Sequence, residues 1–405
     1  MQIHIGIDWS ESKHDVMITD ESGSRINYMR IEHSVEGFEK IEEWRLAMDI
    51  PQEKCRVGLE TAHNLVIDWL WERGYTDIYV IPPNVVKASR SRYNQSGARN
   101  DESDSYTIAE LTRTDVHRLH PWHPGSPLLQ QMRIMLSMTE FWRKEAVALS
   151  NRLRSCLLRY HPALVDVFSW PSPIACHLIL AYPSPELAEI ASYEEFQDFL
   201  KQHKHTQRSK WVTCFDALTT LHPRAAKGIV QACQLQAQQL ARLLLDALKY
   251  KQETLEQLNR LFLQHDDHPI FASLPGAGRL LAPALLVKLG EERRRFPTSA
   301  MVQALAGTAP VTDQSGRKTL IYFRRSCDKK FRYFAQQFAR ASCKQSGWAS
   351  AYFANARQRG HSVSRSHRSL ANRWIAIIWK MWQDHTHYDE SFHIRQRQLR
   401  QQPRS

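Results

Sequence analysis

The sequence predicts a mixed α/β domain first, then a long helical segment of coiled-coil character, then a mainly helical C-terminal domain. Three observations carry this. Alternating apolar residues broken by turn residues fill the first hundred positions, and long runs at helical spacing flank a central insert. The charge balance also reverses along the chain: residues 1–110 hold 12 basic and 20 acidic side chains, residues 291–405 hold 22 and 7. With 405 residues, of which 42% are hydrophobic and 10% aromatic, the chain can bury two or three cores, which excludes wholesale disorder. No charged start followed by an apolar stretch marks a secretory leader. The longest apolar run, 280–289, is broken by Pro283 and Lys288 and falls far short of the roughly 20 residues that cross a bilayer. Seven cysteines, odd in number and never spaced C-x-x-C, argue against a disulfide framework and a Cys-based zinc site.

Residues 3–7 read as a strand ending at Asp8. Two more strands, 15–19 and 25–31, are joined through Glu21-Ser-Gly-Ser24. An amphipathic helix at 35–47 follows, then a strand at 55–60, a helix at 62–72, a strand at 78–81 stopped by Pro82-Pro83, and a helix from 84. This is the element order of a ribonuclease-H-like fold. A polar, basic loop at 92–100 leads to a helix at 101–113, and Pro121, Pro124 and Pro127 mark a linker. Residues 128–160 are helical, with Leu129, Met132, Met135, Met138 and Phe141 on broad apolar faces. Residues 229–263 are the strongest helical run, with Leu240, Leu244, Leu248, Leu255, Leu258 and Phe262 recurring every three, four or seven positions. These two helices suit a coiled coil or a plain bundle; the stretch 162–185 between them is less regular. Further helices are expected at 280–289, 301–307, 330–346 and 363–384. The expected division is 1–115, 128–265, 266–390 and a basic tail at 391–405.

Four carboxylates fall at the ends of these elements. Asp8 closes Gly6-Ile-Asp8, Glu60 closes Gly58-Leu-Glu60, and Asp101 and Asp104 stand three apart on one helix face. Neighbouring first and fourth strands would bring Asp8 and Glu60 together, and the helix would add two more. Hard oxygen donors suit Mg²⁺, and paired ions support phosphoryl transfer. Singly, each acid also serves as a turn or helix-dipole residue; the set points to metal.

Downstream, Leu274-Pro-Gly-Ala-Gly278 opens an apolar helix like a helix-hairpin-helix. The N–H groups around Gly276 and Gly278 suit a phosphate backbone. Ser315 is expected in a flexible basic turn, with Arg317, Lys318, Arg324 and Arg325 as phosphate binders. The clustered C-terminal cations with interleaved aromatics point to nucleic acid. His385, His387 and His393 read as surface tail, and Trp374, Trp379 and Trp382 as a core stripe.

These motifs, in this order, resemble the DEDD-type insertion-sequence transposases, the IS one-ten family, which includes bridge-RNA-guided recombinases. Gly6 to Asp8, Gly58 to Glu60, Arg99 to Asp104, Leu274 to Gly278, Ala306-Gly307, Pro310 and Gln314 to Gly316 carry the likeness. The resemblance implies a RuvC-like N-terminal domain whose Asp8, Glu60, Asp101 and Asp104 bind Mg²⁺. It implies a C-terminal transposase domain whose Ser315 attacks DNA to form a phosphoserine link. It further implies element-end and target DNA as substrates, an element-encoded structured RNA as guide, and homodimers or homotetramers. A cytoplasmic, nucleoid-associated protein of a bacterium or archaeon, with no membrane partner, is the matching expectation. Two rivals stand beside it: a RuvC-like junction resolvase without a covalent step, and a non-enzymatic nucleic-acid-binding protein.

Overall fold

β1 (Ile3–Trp9) sends Ile3, Ile5 and Ile7 into one core and turns His4, Gly6 and Asp8 to the opposite face. In a computed structural model, which describes residues 1–62, 64–93, 100–316, 318–392 and 394–395, this strand is the centre of a five-stranded sheet. The other strands are β2 (Lys13–Thr19), β3 (Arg25–Glu32), β4 (Cys55–Leu59) and β5 (Ile78–Val80), in the order β3-β2-β1-β4-β5. β1 runs antiparallel to β2 and parallel to β4, so the first and fourth strands are neighbours as expected.

α1 (Val35–Ala47) and α2 (Leu65–Glu72) bury Phe38, Ile41, Val66, Ile67 and Leu70 with the isoleucines of β1. α3 (Pro83–Tyr93) and α4 (Asp101–Thr114) form a smaller cluster of Ile81, Val86, Ile108 and Leu111. α4 lies on the Gly6 face of β1. A Cβ at Gly6 would come within 2.1 Å of the Ser105 carbonyl oxygen and 2.4 Å of the Ala109 nitrogen; one at Gly58 would meet Thr112 and Ile108 methyls at 2.6 and 2.8 Å. Both glycines, each two residues before an acid, are needed because the helix backbone rests on the sheet. These elements form one compact unit, Met1–Gly125.

The second unit, Ser126–Ser405, is mainly helical. α5 (Pro127–Tyr160) is 34 residues long and starts at the capping hydroxyl of Ser126. Five shorter helices follow: α6 (Ala163–Val167), α7 (Pro173–Ala181), α8 (Pro185–Glu189), α9 (Tyr193–Gln202) and α10 (Trp211–Leu218). Two of these, α6 and α7, lie in the stretch read as irregular. α11 (Lys227–Leu263), 37 residues, returns along α5. Thr139 bonds Thr254, whereas Cys156 bonds the Cys233 carbonyl, so the pair is antiparallel within one chain. One end of the pair packs with α6–α10 around Phe196, Leu200 and Trp211. The other packs with α12 (His268–Ala272), α13 (Gly278–Leu289), α14 (Ser299–Leu305), α15 (Lys329–Ser342), α16 (Gly347–Gln358) and α17 (Val363–Asp384). Trp374 and Trp382 are fully buried there and Trp379 partly, as the stripe predicts.

A hairpin of β6 (Val311–Ser315) and β7 (Lys318–Tyr322) interrupts the helices, where the sequence suggests only a turn. α16 is likewise missed; it begins where Ser346 caps a new helix beyond the expected end at 346. Among the described residues no helix is long and apolar enough to cross a membrane.

Candidate functional site

The parallel register pairs Ile7 with Leu59, so Asp8 and Glu60 are the next residues along adjacent strands. Asp8 lies near the end of β1, Glu60 directly after β4. Asn100 caps α4: its side chain accepts from the Ser103 N–H at 2.8 Å, and Ser103 reaches back to the Asn100 backbone. The cap sets Asp101 and Asp104 in the first turn. Because α4 rests on Gly6, that turn arrives beside Asp8. The Asp8 carboxyl is pushed up to about 7, first by burial, then by the charges of Glu60, Asp104, Asp101 and Asp15. Glu60 is also raised, by burial and by Asp104, while Arg90 acts the other way. The structure therefore brings the other three predicted acids within electrostatic reach of Asp8.

It also adds four residues that the sequence reading did not single out. Asp15 faces Asp8 across the antiparallel pair and is buried. The Tyr28 hydroxyl and the Arg30 guanidinium donate to it. Arg30 also reaches Asp101 at 3.1 Å. Arg90, in the last turn of α3, holds both Asp104 oxygens, at 2.7 and 2.8 Å. The only signal for Asp15 was a second acid one hairpin step from Asp8; the arginines left none.

The donor chemistry fits a divalent cation: these are hard carboxylate oxygens, close enough together to help lift the proton affinity of Asp8. Among the described residues, no three His, Cys, Asp or Glu side chains converge as a ready-made metal cage. Two of the four predicted ligands are engaged by guanidiniums instead.

In the second unit, Gly276 has φ +78° and backs onto the Ala341 carbonyl, where a Cβ would come within 2.9 Å. This glycine is required by packing against α15. Gly278, at φ +54°, opens α13 with free space around it. Ser315 is the last residue of β6 and pairs with Lys318. Both strands are exposed except at Val311, so Ser315 is presented to solvent on a hairpin rather than in a loose turn. The hairpin base is anchored. Arg324 donates to the Ala309 and Pro310 carbonyls, and the Asp328 N–H to the Leu305 carbonyl. Gly307 abuts Cys327. Lys318, paired with Ser315, is exposed, and Arg325, past the hairpin base, is exposed too. Arg317, His393, residues 94–99 of the basic loop and 396–405 of the tail lie outside the described residues. His385 and His387 line a cleft of about 360 Å³ with His265, Asp267, Glu291 and Arg293.

Residues 5–162 match the DEDD transposase of IS110, and residues 268–354 match the transposase IS116/IS110/IS902 family. The chain belongs to the IS110 family of transposases. It is similar along nearly its whole length to the mini-circle putative transposase for IS117 of Streptomyces coelicolor, 27% identical over 402 residues, 96% of each chain. It is also similar to the insertion element IS900 uncharacterized 42 kDa protein of Mycobacterium paratuberculosis, 25% identical, covering 95% of this chain and 96% of that one. A third relative is the insertion element IS116 uncharacterized 44.8 kDa protein of Streptomyces clavuligerus, 23% identical over 95% of each. The two matched segments of this IS110-family chain carry the acidic set and the serine hairpin respectively.

Proposed function

We propose that this IS110-family transposase cleaves and rejoins DNA with a divalent-metal site at Asp8, Glu60, Asp101 and Asp104 and a nucleophile at Ser315. The observation that supports the reading is that Asp8 and Glu60 follow paired residues of two adjacent parallel strands, with Asp8 raised to about 7 by burial and then by the charges of Glu60, Asp104 and Asp101. The strand order, with three antiparallel strands followed by two parallel ones, supports a RuvC-like domain. Mg²⁺, when bound, would supply charge for the attacking and leaving oxygens of phosphoryl transfer. The carboxylates orient and charge-balance that centre. The Ser315 hydroxyl loses its proton and forms a new P–O bond as one DNA P–O bond breaks; the leaving oxygen takes up a proton. Lys318, exposed and paired with Ser315, is a proposed phosphate ligand, as are Arg317, Arg324 and Arg325. Gly276 and Gly278 are proposed for backbone contact.

Element-end and target DNA are the proposed substrates, supported by the strongly basic C-terminal third. A structured guide RNA, homodimers or homotetramers, a cytoplasmic nucleoid-associated location and the four-part domain division are proposed from the family resemblance.

The test is a trapping assay with Mg²⁺, nicked or supercoiled element-end DNA and flanking RNA, run on a denaturing gel. The reading predicts a protein–DNA adduct that disappears with Ser315→Ala and with Asp8→Asn. Cleavage with no adduct would replace it with the resolvase reading.

A further inference from the structure

We propose that Arg90 is an internal counter-ion that holds Asp104 while the acidic site is empty and must release it when a divalent ion binds. This rests on the metal-site reading above. Its Nε and Nη2 donate to Oδ1 and Oδ2 of Asp104 at 2.7 and 2.8 Å. A bidentate clasp of this kind is directional and charge-assisted. It engages both oxygens of the one carboxylate that acts on both Asp8 and Glu60. A metal that takes Asp104 as a ligand therefore competes with the fork for the same oxygens.

The clasp is also sheltered. The side chains of Arg90 and Asp104 are 23% and 15% exposed, against 51% and 66% for Arg30 and Asp101. Arg30 has a second anchor, two bonds to Asp15. Among the described residues, the hydrogen bonds of Arg90 go to Asp104 alone. Arg30 can give up Asp101 and stay in place, whereas loading Asp104 frees the end of α3. Without Arg90, Asp104 would face Asp8 and Glu60 with no counter-charge of its own. Metal occupancy and the α3 clasp are thus coupled, and the coupling acts in both directions.

The test uses the full chain without nucleic acid. Wild type, Arg90→Gln and Arg90→Lys are titrated with Mn²⁺ and free ion is read by electron paramagnetic resonance. Circular dichroism checks the fold. Arg90→Gln is expected to bind Mn²⁺ about tenfold tighter, the factor that corresponds to about 1.4 kcal/mol, and to melt lower without metal. Arg90→Lys, a point charge that cannot form the fork, is expected in between, and it carries the test if the glutamine variant fails to fold. Affinity for Mn²⁺ equal to or weaker than wild type would overturn the proposal, since Arg90 would then support Asp104 in the loaded site. Asp104→Asn and Asp8→Asn separate the two readings. If they abolish uptake while Arg90→Gln leaves it unchanged, only the counter-ion role fails. If wild type takes up no Mn²⁺, or these variants leave uptake intact, the acidic-site reading falls and this one with it.

Discussion

Gly6→Ala should cost this protein both stability and metal affinity through one displacement. A Cβ on Gly6 would lie 2.1 Å from the Ser105 oxygen and 2.4 Å from the Ala109 nitrogen. Ordinary packing wants about 3.5 Å, so α4 must retreat by at least about 1 Å. Both obstacles are backbone, and neither can rotate aside. Overpacking of this kind costs about 3 kcal/mol, the upper part of its usual range. In a unit of this size that lowers the melting temperature by roughly 10 °C. The same retreat carries Asp101 and Asp104 away from Asp8. Ligand distances tolerate only about 0.2 Å, so Mn²⁺ affinity should fall at least tenfold, roughly 1.4 kcal/mol. The assay is a melt and a Mn²⁺ titration of the full chain. Gly228→Ala is the control: it lies in the first turn of α11 with nothing within 4 Å of a new Cβ, and should be neutral or stabilising. A Gly6→Ala protein with wild-type melting and wild-type Mn²⁺ uptake would refute the close rest of α4 on β1.

Four further outcomes follow from the same geometry. Asp8→Asn removes one of several mutually repelling acids and should raise the melting temperature of the metal-free chain while abolishing Mn²⁺ uptake; a lower melting temperature would contradict the crowding described for the site. Ser315→Ala changes an exposed strand end and should leave stability within about 0.5 kcal/mol of wild type in a melt, even as the covalent adduct vanishes. Asp267 is buried, accepts from Arg293 at 2.5 Å and from the Trp382 indole at 3.1 Å, so Asp267→Ala should cost about 3 kcal/mol by chemical denaturation. His4 and His161 are buried and lowered to about 4, chiefly by desolvation. The unfolded chain binds their protons first, so stability should hold above pH 6.5 and fall between pH 6.5 and 4. His161→Gln should flatten that fall in denaturation curves taken at pH 7.5 and 5.

The strands around the acidic set were legible because each is a short run rich in β-prone apolar residues that ends at a turn residue or an acid. Gly6-Ile-Asp8 and Gly58-Leu-Glu60 are readable for the same reason: the residue two before the acid shares its face. α5 and α11 announce themselves by length. The β6–β7 hairpin escaped since nearly all of its side chains are solvated, which leaves no alternation between core and solvent. The clue it did offer was Gly316, at φ +56°, between two β-prone runs. The helices of the insert span only five to ten residues, too short for a helical period to stand out. Arg30 and Asp101 are 71 positions apart, and no local pattern reports a pair that only the folded sheet brings together. Asp8, Glu60, Asp101 and Asp104 could be listed from sequence; Asp15 and the arginines paired with these acids could not.

The antiparallel pair of α5 and α11 has a consequence for how this chain can change length. At 1.5 Å per residue, α5 alone extends about 50 Å. Its early residues, Leu129 to Leu136, are buried in one core, and Leu153 to Tyr160 in the other. The insert is therefore mounted at the tip of a stiff rod, and its own core shares no residue with the one from which the serine hairpin emerges. Segments can be gained, lost or exchanged at that tip, and the rod shortened or extended by whole turns, while the packing beneath the hairpin stays as it is. Size variation among related chains has a mechanically quiet place to accumulate.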